Sequence, residues 1–298
     1  MTRIAAVDCG TNSVRLLIVD GAAELHREMR IVRLGEGVDR TGVLAPAALE
    51  RTRVALVDYA ATCRELMVER LRMVATSATR EAGNRAEFVA MVEQVLGVEP
   101  EVVTGDEEAA LSFAGATRDL DRRAGPFLVV DIGGGSTEFV LGTTEVDAAR
   151  SVDIGCVRLT ERHLLDDPPA AEQIATAEAD IDAALALVRA VVPVERARTA
   201  VCLAGSSTTV AAVALELPSY DSEAIHGARL PAPVVRQACD RLLAMTRAER
   251  AALPVMHPGR VDVIGAGALV LRTVVDRLDL REITISEADI LDGIAGSA

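Results

Sequence analysis

The sequence predicts an α/β protein built as two domains of one design, and three observations carry that reading. An Asp that closes an apolar run and enters a turn of glycine and hydroxyl residues occurs twice. It occurs at Asp8–Ser13 after Ile4–Val7, and at Asp131–Thr137 after Phe127–Val130. Each turn is followed by another strand-like stretch, Val14–Val19 and Glu138–Leu141. Strand–helix alternation then follows each hairpin, the pattern of a sheet with helices packed on it.

In the first part, Ile4–Val7, Val14–Val19 and Glu24–Val32 read as an antiparallel meander. Pro46–Glu69 is an amphipathic helix with Pro at its first position, where a missing N–H costs nothing. Arg72–Ala75 is a strand. Asn84 with Glu87 predicts a capping box that opens a helix to Leu96. Glu101–Val103 is a strand and Asp106–Thr117 a helix with an acidic first turn. The loop Leu34–Gly42 holds three glycines and is expected to be mobile. The polar stretch Thr117–Pro126 is the expected linker, which gives domains of 1–120 and 121–298.

The second part repeats the theme. Phe127–Ile132, Glu138–Leu141 and Ala148–Val152 form a second meander, followed by helices at Val157–Leu164 and Ala171–Val191. Thr199–Leu203 is a strand that runs through Ala204–Thr208 into a helix. Helices at Pro233–Met245 and Gly267–Leu278 precede a last strand, Glu282–Ile285.

Composition excludes several function classes. The net charge is −14 and no Lys is present, so all 31 basic residues are Arg. A general nucleic-acid binder needs a basic face, and an anionic membrane surface repels such a chain. A lysine P-loop is impossible, so a cationic phosphate contact must be Arg or a metal ion. No apolar stretch approaches the roughly 18 residues that span a bilayer. The chain enters a strand at once, so no export signal is expected. Cys9, Cys63, Cys156, Cys202 and Cys239 are odd in number and widely spaced, as reduced core thiols of a cytoplasmic protein are. His26, His163, His226 and His257 show no metal-ligand spacing.

The two hairpins suit phosphate. Gly10 in one and Gly133, Gly134 and Gly135 in the other let backbone N–H groups approach oxygen atoms. Thr11, Asn12, Ser13, Ser136 and Thr137 add side-chain donors, and an Asp can hold a divalent cation. Either hairpin alone also serves as a plain tight turn. Together they predict two halves that face each other across a phosphate-binding cleft. Gly205-Ser206-Ser207-Thr208 lies between a strand and a helix, where hydroxyls either bind an anion or cap the helix. Thr76–Arg80 sets hydroxyls and one Arg at a strand's end, facing a cleft or water. Gly105–Ala109 opens a helix with acids, which either answer the helix dipole or include a general base.

Six segments together resemble the exopolyphosphatase/guanosine pentaphosphate phosphohydrolase (Ppx/GppA) family. They are DCGTNSVRLLI at Asp8–Ile18, ATSATREAGN at Ala75–Asn84, TGDEEA at Thr104–Ala109, VVDIGGGSTEFVLG at Val129–Gly142, IGCVRLTE at Ile154–Glu161 and HPGRVDVIGAGALVL at His257–Leu271. They stand in the family's order and span nearly the whole chain, which looks like the short, two-domain form without a C-terminal helical extension.

The resemblance implies duplicated actin-like ATPase (ribonuclease H-like) domains and hydrolysis of a terminal phosphoanhydride. The implied substrate is inorganic polyphosphate, short-chain by the charge argument, with guanosine pentaphosphate (pppGpp) as the alternative. It places the catalytic glutamate on Glu108 and the motif Arg on Arg80. The metal-binding acids, for Mg²⁺ or Mn²⁺, fall on Asp131 and Glu138, with Asp8 a further contributor. The first motif also supplies Arg15 as a phosphate contact. A homodimer is implied. Two departures stand out. Ser206-Ser207-Thr208 replaces Gly-Gly-Thr or Ser-Gly-Thr, and Ser286–Gly293 lacks the Arg of a Ser-x-x-x-Leu-Arg-x-Gly pattern. Two rival readings remain at this stage. One is a small-molecule kinase of the same superfamily, and the other a non-catalytic sensor of guanosine polyphosphates.

Overall fold

The computed structural model describes residues 2–298. It divides into two compact units, the first running to Gly115 and taking up Ile290–Ala298, the second spanning Ala116–Asp289.

In the first unit β1 (Arg3–Cys9), β2 (Ser13–Asp20) and β3 (Ala23–Ile31) form the antiparallel meander. The strands β4 (Arg70–Ala75) and β5 (Glu101–Val102) add in parallel beyond β1, giving the order β3-β2-β1-β4-β5. Both faces of β1 are covered, which is why its sequence is a nearly unbroken apolar run. Ala5, Val7 and Cys9 point to one face and pack with Leu56 and Tyr59 of the helix Pro46–Glu65 and with Phe88 and Val92 of the helix Arg85–Leu96. Ala6 points to the other face and packs with Leu17, Val74, Val103, Ile290, Leu291 and Ile294. By the two-residue period of a strand, Asp8 shares this second face.

The second unit repeats the layout with β6 (Phe127–Ile132), β7 (Thr137–Gly142), β8 (Val146–Val152) and β9 (Thr199–Leu203). After β10 (Arg229–Pro231) comes β11 (Glu282–Ile285), and the order is β10-β11-β9-β6-β7-β8. Thus β6, β7, β8, β9 and β11 take the places of β1 to β5, and β10 adds an antiparallel edge strand that ends in Pro, where a missing donor is tolerated. This is the duplicated actin-like α/β arrangement that the family resemblance implies.

Four differences from the sequence reading have physical causes. The division is not 1–120 and 121–298. The helix Ile290–Gly296 returns to the first unit because Ile290, Leu291 and Ile294 complete the apolar face of its sheet. Leu291 stands where the family pattern has its missing Arg, and it is buried there. Asn84 starts its helix but caps nothing, because its amide accepts from the Leu44 N–H at 2.8 Å and donates to the Leu44 carbonyl at 3.1 Å. The loop expected to be mobile is packed, with Leu34, Gly35 and Val38 buried. The helix predicted to run to Glu69 stops at Glu65, and Met67 lies in the left-handed region at φ 51°. No described helix is long and apolar enough to cross a membrane.

Candidate active site

The two hairpin turns share a hydrogen-bonding pattern. In each, the first glycine donates to the carbonyl three residues on: Gly10 to Ser13 and Gly133 to Ser136, both at 3.0 Å. In each, the remaining turn carbonyls are occupied from outside. Gly133 accepts from the Cys156 N–H at 3.0 Å, Gly134 from Val157 at 2.9 Å and Arg158 at 3.2 Å, and Gly135 from Gly155 at 3.1 Å. These donors belong to the start of the helix Cys156–Arg162, where N–H groups have no partner within the helix. In the first unit, Asn12 accepts from Val32 and Arg33, and Thr11 from Gly35 at 2.8 Å.

The consequence is directional. With the carbonyls drawn to one side, the N–H groups face away from them. Among the described residues no group accepts from the N–H of Gly134, Gly135, Ser136, Thr11 or Asn12. Successive turn N–H groups without a protein acceptor have the chemistry to hold the oxygens of an anion. Of the side chains, Thr11 shares a hydrogen bond of 2.9 Å with Ser77, and Thr137 donates to the Ile154 carbonyl at 3.0 Å. Those two hydroxyls brace the turns.

The acids beside the turns divide the units. Asp8 and Arg15 are cross-strand partners, and Arg15 donates to Asp8 Oδ2 through Nε at 3.0 Å and Nη2 at 2.6 Å. The equivalent pair in the second unit is Asp131 and Glu138, two carboxylates facing each other on β6 and β7. Both are buried, at 7% and 1% exposure. Like charges directly opposite in a sheet repel, and a divalent cation would offset that repulsion. Asp131 and Glu138 offer the hard oxygen donors that suit a divalent ion, while Asp8 Oδ2 is engaged by Arg15. Arg15 in turn is held by Asp8. Among the described residues no three His, Cys, Asp or Glu side chains gather as a metal-binding group. Two carboxylates with water and substrate oxygens is the usual magnesium set.

Glu108 and Arg80 come together as one pair. Arg80 lies in the short helix Ser77–Glu81, and its Nη1 donates to Glu108 Oε2 at 3.0 Å and to the Val103 carbonyl at 2.9 Å. Glu108 is 7% exposed, in the first turn of the helix Gly105–Thr117. Its neighbour Glu107 does something else. Glu107 Oε2 accepts from the Thr104 N–H at 2.8 Å and hydroxyl at 2.9 Å, and its own N–H donates back to Thr104 Oγ1. That is a capping box, and these bonds hold the Glu107 carboxyl below the usual range. The box fixes the turn that aims Glu108 inward. We expect Glu107→Gln to lower the melting temperature modestly and leave kcat unchanged, as parallel melts and rate measurements would show.

The third loop differs most from expectation. The helix Ala204–Ala214 begins directly after β9, and Ser206, Ser207 and Thr208 are all buried. The Ser206 hydroxyl meets the Cys156 thiol, whose titration burial pushes upward. Tyr220 Oη lies 2.8 Å from Thr208 Oγ1 and 2.6 Å from Glu287 Oε1. A carboxylate only accepts, so the tyrosine proton goes to Glu287 and Thr208 donates to Tyr220. These three loop residues are buried, and Gly205 before them is half-buried. Gly205 lies under a residue the sequence reading gave no role, Arg260. A Cβ at Gly205 would stand 2.5 Å from Arg260 Cζ. Arg260 Nη1 donates to Thr209 at 3.2 Å. Arg158 was also missed. It is buried and its Nε donates to the Gly135 carbonyl at 2.7 Å. Both arginines sit in quoted motifs, so the signal was an Arg inside an apolar, glycine-bearing segment.

The comparisons bear on this geometry. Residues 17–297 match the Ppx/GppA phosphatase family. The chain belongs to that family. It is 52% identical to exopolyphosphatase 2 of Mycobacterium tuberculosis, over 99% of this chain and 98% of that one. A crystal structure of the Aquifex aeolicus member of the Ppx/GppA protein family is 30% identical, with a TM-score of 0.83 over 99% of this chain and 97% of the other. A crystal structure of an exopolyphosphatase from Cytophaga hutchinsonii is 27% identical, with a TM-score of 0.91 over 98% and 96%. As a Ppx/GppA phosphatase the chain is a hydrolase of phosphoanhydrides.

Proposed function

We propose that the chain is an exopolyphosphatase that releases orthophosphate from the end of short inorganic polyphosphates. The observation that carries the reading is the turn Gly133–Ser136, with its N–H groups directed outward beside two buried carboxylates, in a chain that also holds an Arg-clamped glutamate. The name of the Mycobacterium tuberculosis relative supports the same substrate.

In this reading, the N–H groups of Gly134, Gly135 and Ser136 bind oxygens of the terminal phosphate, and the N–H groups of Thr11 and Asn12 offer the same chemistry in the first unit. Asp131 and Glu138 would hold Mg²⁺ or Mn²⁺, which supplies neutralisation of phosphate charge when bound. Glu108 orients a water and takes its proton, which then rests on the Glu108 carboxylate. Arg80 keeps that carboxylate in place and adds positive charge beside it. The bond to the bridging oxygen breaks, and the electron pair stays on the shortened polymer. Positioning and charge stabilisation are the main demands of phosphoryl transfer, and backbone donors meet them without reorganising. A homodimer working in the cytoplasm is part of the same proposal.

Phosphate release from defined-length polyphosphates, pppGpp and ATP, measured side by side with Mg²⁺, tests the reading. Polyphosphate should give the highest kcat/KM. A higher value for pppGpp would move the assignment to the nucleotide.

The charge balance bears on polymer length. The chain carries −14, and Arg27, Arg30, Arg53, Arg72, Arg272 and Arg277 are each paired with acids. Phosphates beyond the bound end meet an unfavourable field, screened beyond about 8 Å at physiological salt. We expect kcat/KM to be higher for short polymers than for chains of hundreds of units. The gap should narrow as salt rises. A value that climbs with length at low salt would refute this.

A further inference from the structure

The duplication offers an internal comparison. Across β1, β2 and β3 the row of direct partners reads Asp8, Arg15, Met29. Across β6, β7 and β8 the matching row reads Asp131, Glu138, Ser151. Direct partners share a face, so each row is a line of three neighbouring side chains. The first row balances its own charge and ends in a thioether. The second sets two carboxylates side by side and ends in a hydroxyl. Ser151 Oγ donates to Glu138 Oε1 at 2.7 Å.

We propose that Ser151 is a positioning residue for the divalent cation, acting through Glu138. The inference rests on the reading of Asp131 and Glu138 as the metal-binding pair. A glutamate carries three rotatable side-chain bonds, and ordering them costs free energy that a fixed ligand has already spent. A carboxylate is acceptor-only, so the Ser151 hydroxyl has one useful orientation, with its proton on Glu138. A hydrogen bond to an ionised group is also among the stronger ones. Ser151 therefore presents Glu138 alongside Asp131 before the ion arrives. The first unit lacks both parts of this device: Arg15 occupies the glutamate's place, and Met29 at the serine's place has no proton to give.

The test is a titration of the full chain with Mn²⁺, with free ion read by electron paramagnetic resonance and no substrate present. Ser151→Ala should weaken Mn²⁺ binding by about 10–100-fold, the usual effect of losing a ligand's hydrogen-bond partner. Ser151→Thr keeps the hydroxyl, suits an edge strand and should bind as the parent does. Glu138→Gln should bind most weakly. Parent-like binding by Ser151→Ala beside weak binding by Glu138→Gln would overturn the role of Ser151 and leave the metal reading standing. Weak binding by Ser151→Thr would overturn it too, by showing that packing and not the hydroxyl matters. Parent-like binding by Glu138→Gln would refute the metal reading itself.

Discussion

Replacing Glu108 by Gln is expected to lower kcat by about 10²–10⁴, the range a positioned general base contributes. The melting temperature should hardly move. Gln keeps the size of the side chain and an oxygen for Arg80, and Arg80 keeps its bond to the Val103 carbonyl. What disappears is the site that takes the proton. Glu107 provides the control, since it is one residue away, of like charge, and committed to Thr104. Initial-rate kinetics on a short polyphosphate, with melts for both variants, would settle the matter. Full turnover by Glu108→Gln would remove it from the chemistry.

Gly155→Ala should be nearly as damaging, by a different route. A Cβ at Gly155 would lie 2.2 Å from the Gly134 carbonyl oxygen, 2.3 Å from its carbon and 2.4 Å from the Gly135 nitrogen. All three atoms are backbone, so no side chain can swing aside. Either the helix Cys156–Arg162 retreats or the glycine turn moves. Both break the bonds from Gly155, Cys156 and Val157 that draw the turn's carbonyls to one side. Overpacking of this kind costs about 1–3 kcal/mol of stability. A misplacement of about 1 Å at a reacting centre costs on the order of 10²-fold in rate, so kcat/KM should fall at least that far. Gly296→Ala is the matched control, because nothing lies within 4 Å of its added carbon. Equal kcat/KM in the two variants would show that the turn's position is not set by this contact.

The parts of the molecule that repeat were the parts legible in the chain. An apolar run, an Asp, a glycine turn and a second run specify a hairpin locally, and two copies specify a duplicated sheet. Contacts between distant segments left weaker traces. Ile290, Leu291 and Ile294 are an apolar spacing with no sequence mark saying which sheet they cover, and they cover that of the first unit. The turn's orientation depends on Gly155, twenty residues downstream of Gly135, and only the packed structure reveals why that position has no side chain. Residue type alone gave no sign that Arg15 and Asp8 pair with each other. An Arg beside a phosphate turn suggests a phosphate contact, and register also puts it opposite Asp8, to whose Oδ2 it donates. The same register argument strengthens Asp131 and Glu138, since it sets two carboxylates together where the first unit has an ion pair. In the third loop, hydroxyls that read as anion donors are buried, Ser206 against Cys156 and Thr208 against Tyr220.

The central claim is that water, positioned by Glu108, attacks the terminal phosphorus. Hydrolysis of a short polyphosphate in ¹⁸O-labelled water, with mass analysis of both products after one turnover, tests it most directly. Released orthophosphate should carry one labelled oxygen, and the shortened polymer none, with the release slowed by about 10²–10⁴ in Glu108→Gln. Label on the polymer end, or unlabelled phosphoryl groups passed to an added acceptor, would contradict the account.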